Sequence, residues 1–278
     1  MTQSTALIQY TLHLADDSLI LGHRNSEWTG HGPILEQDIA LSNIALDLIG
    51  QARNFYQYAA ELINAAPVSN GTSGRPASAY GPTAPSNGAP RQVTEDQLAY
   101  LRDGWDFRNC LLVEQGNGDW AKTILRQFFF SAYQTALYEK LAQGRDKTLA
   151  AIAAKSHKEV VYHLRWSSEW VIRLGDGTEE SHTRMNNALD ELWKFTGELH
   201  TAAPYEQETA AKAISPDLST LCPQWEEKVK EVFDEARLSY PPAVWMQTGG
   251  KEGRHTEHLG YVLAEMQFLQ RAYPGCEW

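Results

Sequence analysis

The spacing of apolar residues between positions 33 and 62 constrains this chain more than any other feature. Leu41, Ile44, Ala45, Leu48, Ala52, Phe55, Ala59 and Leu62 recur at i, i+3 and i+4, which makes one stripe on a long helix. Pro33 suits the first turn of that helix, where a missing N–H costs nothing. A second segment, 119–143, carries two adjacent apolar lines. Trp120, Ile124, Phe128, Ala132 and Ala136 form one, and Leu125, Phe129, Tyr133, Leu137 and Leu141 the other. Two neighbouring lines mean a wide buried face, as at the centre of a bundle.

Further helices are expected at 6–28, 146–174, 184–199, 223–238 and 255–272. Gly144 and the Gly175-Asp176-Gly177 turn act as stops. Strand signals are scarce, and Asn117-Gly118, the one Asn-Gly outside low-complexity sequence, precedes a helix. The expected class is therefore all-α, with two long hairpins forming a four-helix bundle and additional C-terminal helices. Residues 66–90 are rich in Pro, Gly, Ser and Ala, with Arg75 their only charge. They read as a flexible insertion within a single domain spanning 1–278. A long connection at this point is what the crossover of a ferritin-like bundle requires.

The formal net charge of -11 disfavours a nucleic-acid partner, which would need clustered Lys and Arg. Cys110, Cys222 and Cys276 lie far apart and form no CxxC pair, so reduced thiols in a cytosolic protein are expected. No basic region followed by an apolar run opens the sequence, and no window resembles a membrane span. The expected location is cytoplasmic.

A ferritin-like bundle holds two irons through a Glu on each of two helices and a Glu-x-x-His pair on each of the others. Glu179 with His182 and Glu252 with His255 match that spacing, but neither pair lies in the middle of a long helix. The helix middles offer Asp16 and Asp17, then Asn43, Asp47 and Gln51, then Gln127, and finally Glu159 with His163. Gly50 stands three residues after Asp47, and Tyr162 three after Glu159, where histidines would belong. Asp16, Asp47, Gln127 and Glu159 are thus degenerate ligand positions, and no metal is expected. Glu159 and His163 lie on a largely buried line, so an i, i+4 bond between them is expected, with further partners on the first two helices. The polar line Asn43, Asp47, Gln51 and Asn54 reads as a hydrogen-bond network or an interface.

Lys251 and Arg254 sit in a glycine-rich turn before a helix, an arrangement that can hold an anion such as a phosphate. A plain turn is the simpler reading. His255 and His258 read as capping and packing residues, and Trp166, Trp170 and Trp193 as core. Trp278 can be buried only by a fold-back or by a partner.

Several segments together resemble the family of structural C subunits of phenylacetyl-CoA 1,2-epoxidase, also called ring-1,2-phenylacetyl-CoA monooxygenase. They are Leu14-Ala15-Asp16-Asp17, Glu27-Trp28-Thr29-Gly30-His31, the run from Asp38 to Asn54, and Leu111-Leu112-Val113-Glu114-Gln115 with Asn117-Gly118. Lys158-Glu159 with Tyr162-His163-Leu164-Arg165, Thr248-Gly249-Gly250-Lys251, and His255 to Gly260 running into Leu263 to Gln267 complete the set. The resemblance implies a ferritin-like fold without iron ligands. It implies pairing with a sister A subunit, which carries the di-iron site and epoxidises the ring of phenylacetyl-CoA with dioxygen. It also implies a small B subunit and a reductase that delivers electrons from NADPH. The expected role is a non-catalytic scaffold in aerobic phenylacetate catabolism. Two alternatives are a di-iron oxygenase built from Asp16, Asp47, Glu159 and His163, and a stand-alone CoA-ester-binding module using Lys251 and Arg254.

Overall fold

The computed structural model describes residues 3–66, 92–274 and 276, with side chains from Thr5 onward. The expected insertion therefore lies outside the described residues apart from Ala66, and so does Trp278. Among the described residues every regular element is helical, as expected. The long helices are α1 (Gln3–Ser26) and α2 (Leu35–Ala65) and, after the short α3 (Glu95–Tyr100) and α4 (Leu111–Glu114), α5 (Trp120–Leu141) and α6 (Lys147–Gly175). Then come α7 (Glu179–Leu192), α8 (Pro204–Ala211), α9 (Cys222–Glu235), α10 (Glu257–Met266) and α11 (Phe268–Ala272).

α1 packs along α2 and α5 along α6, and α2 meets α6 to join the two hairpins. The expected stripe on α2 is buried, from Leu41 and Ile44 to Phe55 and Ala59. α5 is buried on nearly all sides. One side faces the bundle, and the other takes α7 and α9. An aromatic cluster cements that outer contact: Phe129 lies 5.8 Å, centroid to centroid, from both Trp193 and Trp225. The Trp225 indole N–H donates to the Phe129 carbonyl at 3.0 Å. Among the described residues no helix is long and apolar enough to cross a membrane.

Helix ends follow local capping more closely than apolar periodicity. Asp119 and Asp146 cap α5 and α6 through their carboxylates. Thr178 starts α7 at Glu179, five residues before the expected start, through a capping box with Ser181. The remainder of the expected 184–199 helix becomes 3₁₀ turns over Trp193–Phe195 and Gly197–His200. Pro33 does not open α2. The Asp38 carboxylate accepts from the N–H groups of Gly30 and Gly32 at 2.8 and 3.1 Å and holds the preceding loop out of the helix. The single expected helix at 255–272 is two. His255 and the Thr256 N–H are held by Glu114. Gln267 breaks the helix by donating inward to the carbonyls of Ala99 and Arg102 at 3.3 and 3.0 Å.

Candidate functional site

Asp16 and Asp17 interrupt an otherwise apolar stretch of α1, and both are buried. Neighbouring helical residues point about 100° apart, so the pair reaches two different surroundings. Asp16 receives the guanidinium of Arg102, whose Nη1 donates to Oδ2 at 3.1 Å and whose Nη2 donates to Oδ1. The Tyr56 hydroxyl donates to Oδ1 at 2.5 Å and the Arg108 N–H to Oδ2 at 2.7 Å. The guanidinium carbon of Arg102 lies 4.2 Å from the Phe107 ring centroid. Burial opposes the Arg102 cation, but Asp16 and Tyr56 prevail and raise its pKa. Asp17 accepts from the Cys110 N–H at 2.7 Å. Burial is the main influence on Asp17 and pushes its pKa up to about 6, against the opposing pull of His13, the Cys110 N–H and Lys251.

Two further carboxylates complete the arrangement. Glu198 accepts from the N–H groups of Leu111 at 2.6 Å and Gly249 at 2.7 Å. Glu114 accepts from the Asn109 amide at 2.8 Å and from the Thr256 N–H and hydroxyl at 2.7 and 2.8 Å, and it lies 2.8 Å from His255 Nδ1. Two arginines hold the carbonyl side. Arg24 donates to the Glu114 and His258 carbonyls, and Arg126 to the Gln115 carbonyl and the Asn117 side chain. Burial, then the charge of Arg24, lowers the Arg126 pKa to about 9. The irregular segment 102–118 is thus threaded between α1, α5 and the 249–258 turn. Buried charges satisfy backbone groups in the loops and at the ends of the short helices there. Sequence reasoning missed this role of the segment. The available signal was the density of charged and amide residues beside an apolar helix.

The four degenerate ligand positions do not converge. Asp16 is level with Tyr56 of α2, whereas Gln127 is bonded to Asn25 at 2.7 Å, and Asn25 lies nine residues beyond Asp16 on α1. Nine helical residues rise roughly 13 Å, so Asp16 and Asn25 stand more than two helical turns apart along α1. Asp47 and Glu159 lie at the seam of α2 and α6. Asp47 Oδ2 is 3.0 Å from His163 Nε2, and Gln51 Nε2 donates to Glu159 at 2.9 Å. The expected Glu159–His163 bond is therefore replaced by two bonds between helices, because α2 brings an acid and an amide of matching reach. Gly50 and Tyr162 face outward: a side chain added at Gly50 would meet nothing, and Tyr162 is exposed. Among the described residues no group of three or more His, Cys, Asp or Glu is arranged to hold a metal ion. This donor set does not fit a carboxylate-bridged iron pair.

The glycine-rich turn does hold an anion, but one supplied from within, the Glu198 carboxylate. Lys251 is buried, and its ammonium donates to Glu206 at 3.1 Å and to the Thr201 carbonyl at 3.2 Å. Arg254 points to solvent beside Glu252. The two expected anion contacts diverge. Of the two Glu-x-x-His pairs, Glu179 and Glu252 are exposed, while His182 bonds the Gly175 carbonyl and His255 bonds Glu114. Trp166 and Trp170 share one acceptor, Gln37 Oε1, at 2.9 and 2.8 Å.

Fold and site together define a ferritin-like helical protein whose interior charges are occupied in holding its own backbone. The chain belongs to the phenylacetic acid catabolic protein family, which matches it over residues 1–278. It is 46% identical to the C subunit of 1,2-phenylacetyl-CoA epoxidase from Escherichia coli (strain K12), over 278 residues and 100% of both chains. The resemblance read from the sequence segments is borne out.

Proposed function

We propose that this chain is the non-catalytic structural subunit of a cytoplasmic phenylacetyl-CoA epoxidase, pairing with a di-iron catalytic A subunit and a small B subunit. The observation that carries the reading is the occupation of Asp16 by Arg102, together with the bonding of Gln127 to Asn25, nine residues further along α1. With these positions committed elsewhere, the chain's contribution to catalysis is positional: it holds partner helices whose small displacement would cost rate. Pairing is supported by an exposed apolar stripe on α2. Leu35, Ile39 and Leu46 are 70%, 51% and 66% exposed and fall on one face, continued by Gly50. Among the described residues the oxygenase alternative finds no convergent ligand set. The CoA-module alternative lacks Lys251, which is buried against Glu206.

Iron per chain, measured by elemental analysis on the protein made alone and with the catalytic subunit, tests the proposal. The expected result is none alone and about two per heterodimer. About two irons in the isolated chain would overturn it, as would full turnover by the catalytic subunit without this chain.

A further inference from the structure

A second buried polar cluster, distinct from the Asp16–Arg102 pair, surrounds His13 of α1: the rings of Tyr10 on α1 and Tyr205 on α8 lie 6.4 and 6.1 Å from its own, and Tyr133 of α5 interacts electrostatically with Tyr10, Asp17 and Glu206. The hydroxyls of Tyr10 and Tyr133, both residues 1% exposed, have no hydrogen-bond partner among the described residues. His13 Nδ1 lies 2.8 Å from the Arg108 carbonyl. A carbonyl only accepts, so Nδ1 carries the proton and Nε2 faces the cluster. Nε2 has no hydrogen-bond partner among the described residues and stands 3.5 Å from Asp17 and 3.6 Å from Glu206. Those separations exceed a direct N–H···O bond and raise the question of a bridging water. Lys251 cannot serve the hydroxyls, because its three protons go to the two Glu206 oxygens and the Thr201 carbonyl. Both tyrosines feel the same charges. Burial, then Glu206, raises each of their pKa values, and Asp17 adds to the effect.

Buried hydroxyls are rarely left unpaired, and internal water supplies both donors and acceptors where protein groups do not. We propose that Tyr10, His13 and Tyr133 enclose a buried hydration site, in which internal water bridges their polar atoms to the carboxylates of Asp17 and Glu206. This site ties α1 to α5 and α8 through water, in addition to the direct Asn25–Gln127 bond between α1 and α5. It stands apart from the pairing proposed above and does not depend on it.

Thermal unfolding of the full chain tests it, using Tyr10→Phe, Tyr133→Phe and the double variant. A hydroxyl bonded to water stabilises the fold, whereas a dry, unpaired one costs stability. Each single variant is expected to lower Tm by roughly 2–4 °C. The double variant is expected to lose less than the two singles combined, because both hydroxyls bond to shared water. An unchanged or raised Tm in the singles overturns the proposal, and so does strict additivity. A high-resolution crystal structure gives the second readout. Water density within hydrogen-bond distance of the Tyr133 hydroxyl and Glu206 supports the site, and a dry cluster overturns it.

Discussion

Replacing Asp17 by Asn should leave the fold intact and change its response to pH. The amide oxygen introduced by Asp17→Asn can still accept from the Cys110 N–H, so the contact that the carboxylate makes at 2.7 Å survives. What disappears is titration. In the folded protein the Asp17 pKa is raised from 3.8 to about 6, chiefly by burial. Between those values the folded state binds more protons than the unfolded one, so the wild type loses stability as pH rises through the window. A shift of roughly 2 units corresponds to about 3 kcal/mol. The stability of Asp17→Asn minus that of the wild type should therefore grow by about 3 kcal/mol from below pH 4 to above pH 6. Urea denaturation at pH steps from about 3.5 to about 7.5 measures this, and groups common to both proteins cancel in the difference. A difference that stays constant, or shrinks as pH rises, would refute the reasoning.

His200 should behave in the opposite sense. Burial, then Lys251, lowers its pKa to about 4, so its stabilisation is present above pH 6.5 and is lost as pH falls toward 4. His200→Phe should gain roughly 2–3 kcal/mol on the wild type across that acidification, read by the same denaturation series. Arg102→Met leaves the Asp16 carboxylate buried without its cation and should cost about 3–5 kcal/mol by equilibrium unfolding; a loss under about 1 kcal/mol would show that Asp16 does not depend on the guanidinium. Gly253→Ala should destabilise by more than ~1 kcal/mol, because φ is +85° and the new Cβ would lie 2.5 Å from the Trp105 carbonyl. Leu46→Asp should keep its wild-type Tm yet no longer co-purify with the catalytic subunit; retained co-purification would move the interface elsewhere, for instance to the exposed Tyr261 and Phe268 on α10 and α11.

The bundle was legible because its cause is local. An i, i+3, i+4 stripe on α2 and a double stripe on α5 each dictate one buried face, and burial of a large apolar side chain is worth about 1.5–3 kcal/mol wherever its partner lies. The helix ends at Glu179 and Gln267 were not legible from periodicity. They depend on the Thr178 cap and on two distant carbonyls. That Gly50 and Tyr162 interrupt the Glu-x-x-His spacing was readable in the sequence, and both positions face outward. The partner of Asp16 was not readable, because Arg102 lies 86 positions from Asp16 in sequence and nothing local pairs them. Lys251 misled for the same reason. A lysine among glycines looks available to a ligand until Glu206 is brought beside it.

The distribution of buried charge bears on the proposed function. Buried carboxylates in native structures are hydrogen-bonded. Here Asp16 accepts four hydrogen bonds, from Arg102, Tyr56 and Arg108, while Glu114 and Glu198 are each held at both oxygens. A fully satisfied buried network is costly to rearrange and rigidifies what it joins. Fixing the irregular 102–118 segment this way locks α1 against α5 and the C-terminal turn. The outer face of α2, which packs along α1, carries Leu35, Ile39 and Leu46 into solvent. A tightly bonded interior and apolar side chains on an outer helix are what the proposed scaffold role calls for, because a surface that is already ordered loses less conformational entropy when a partner binds.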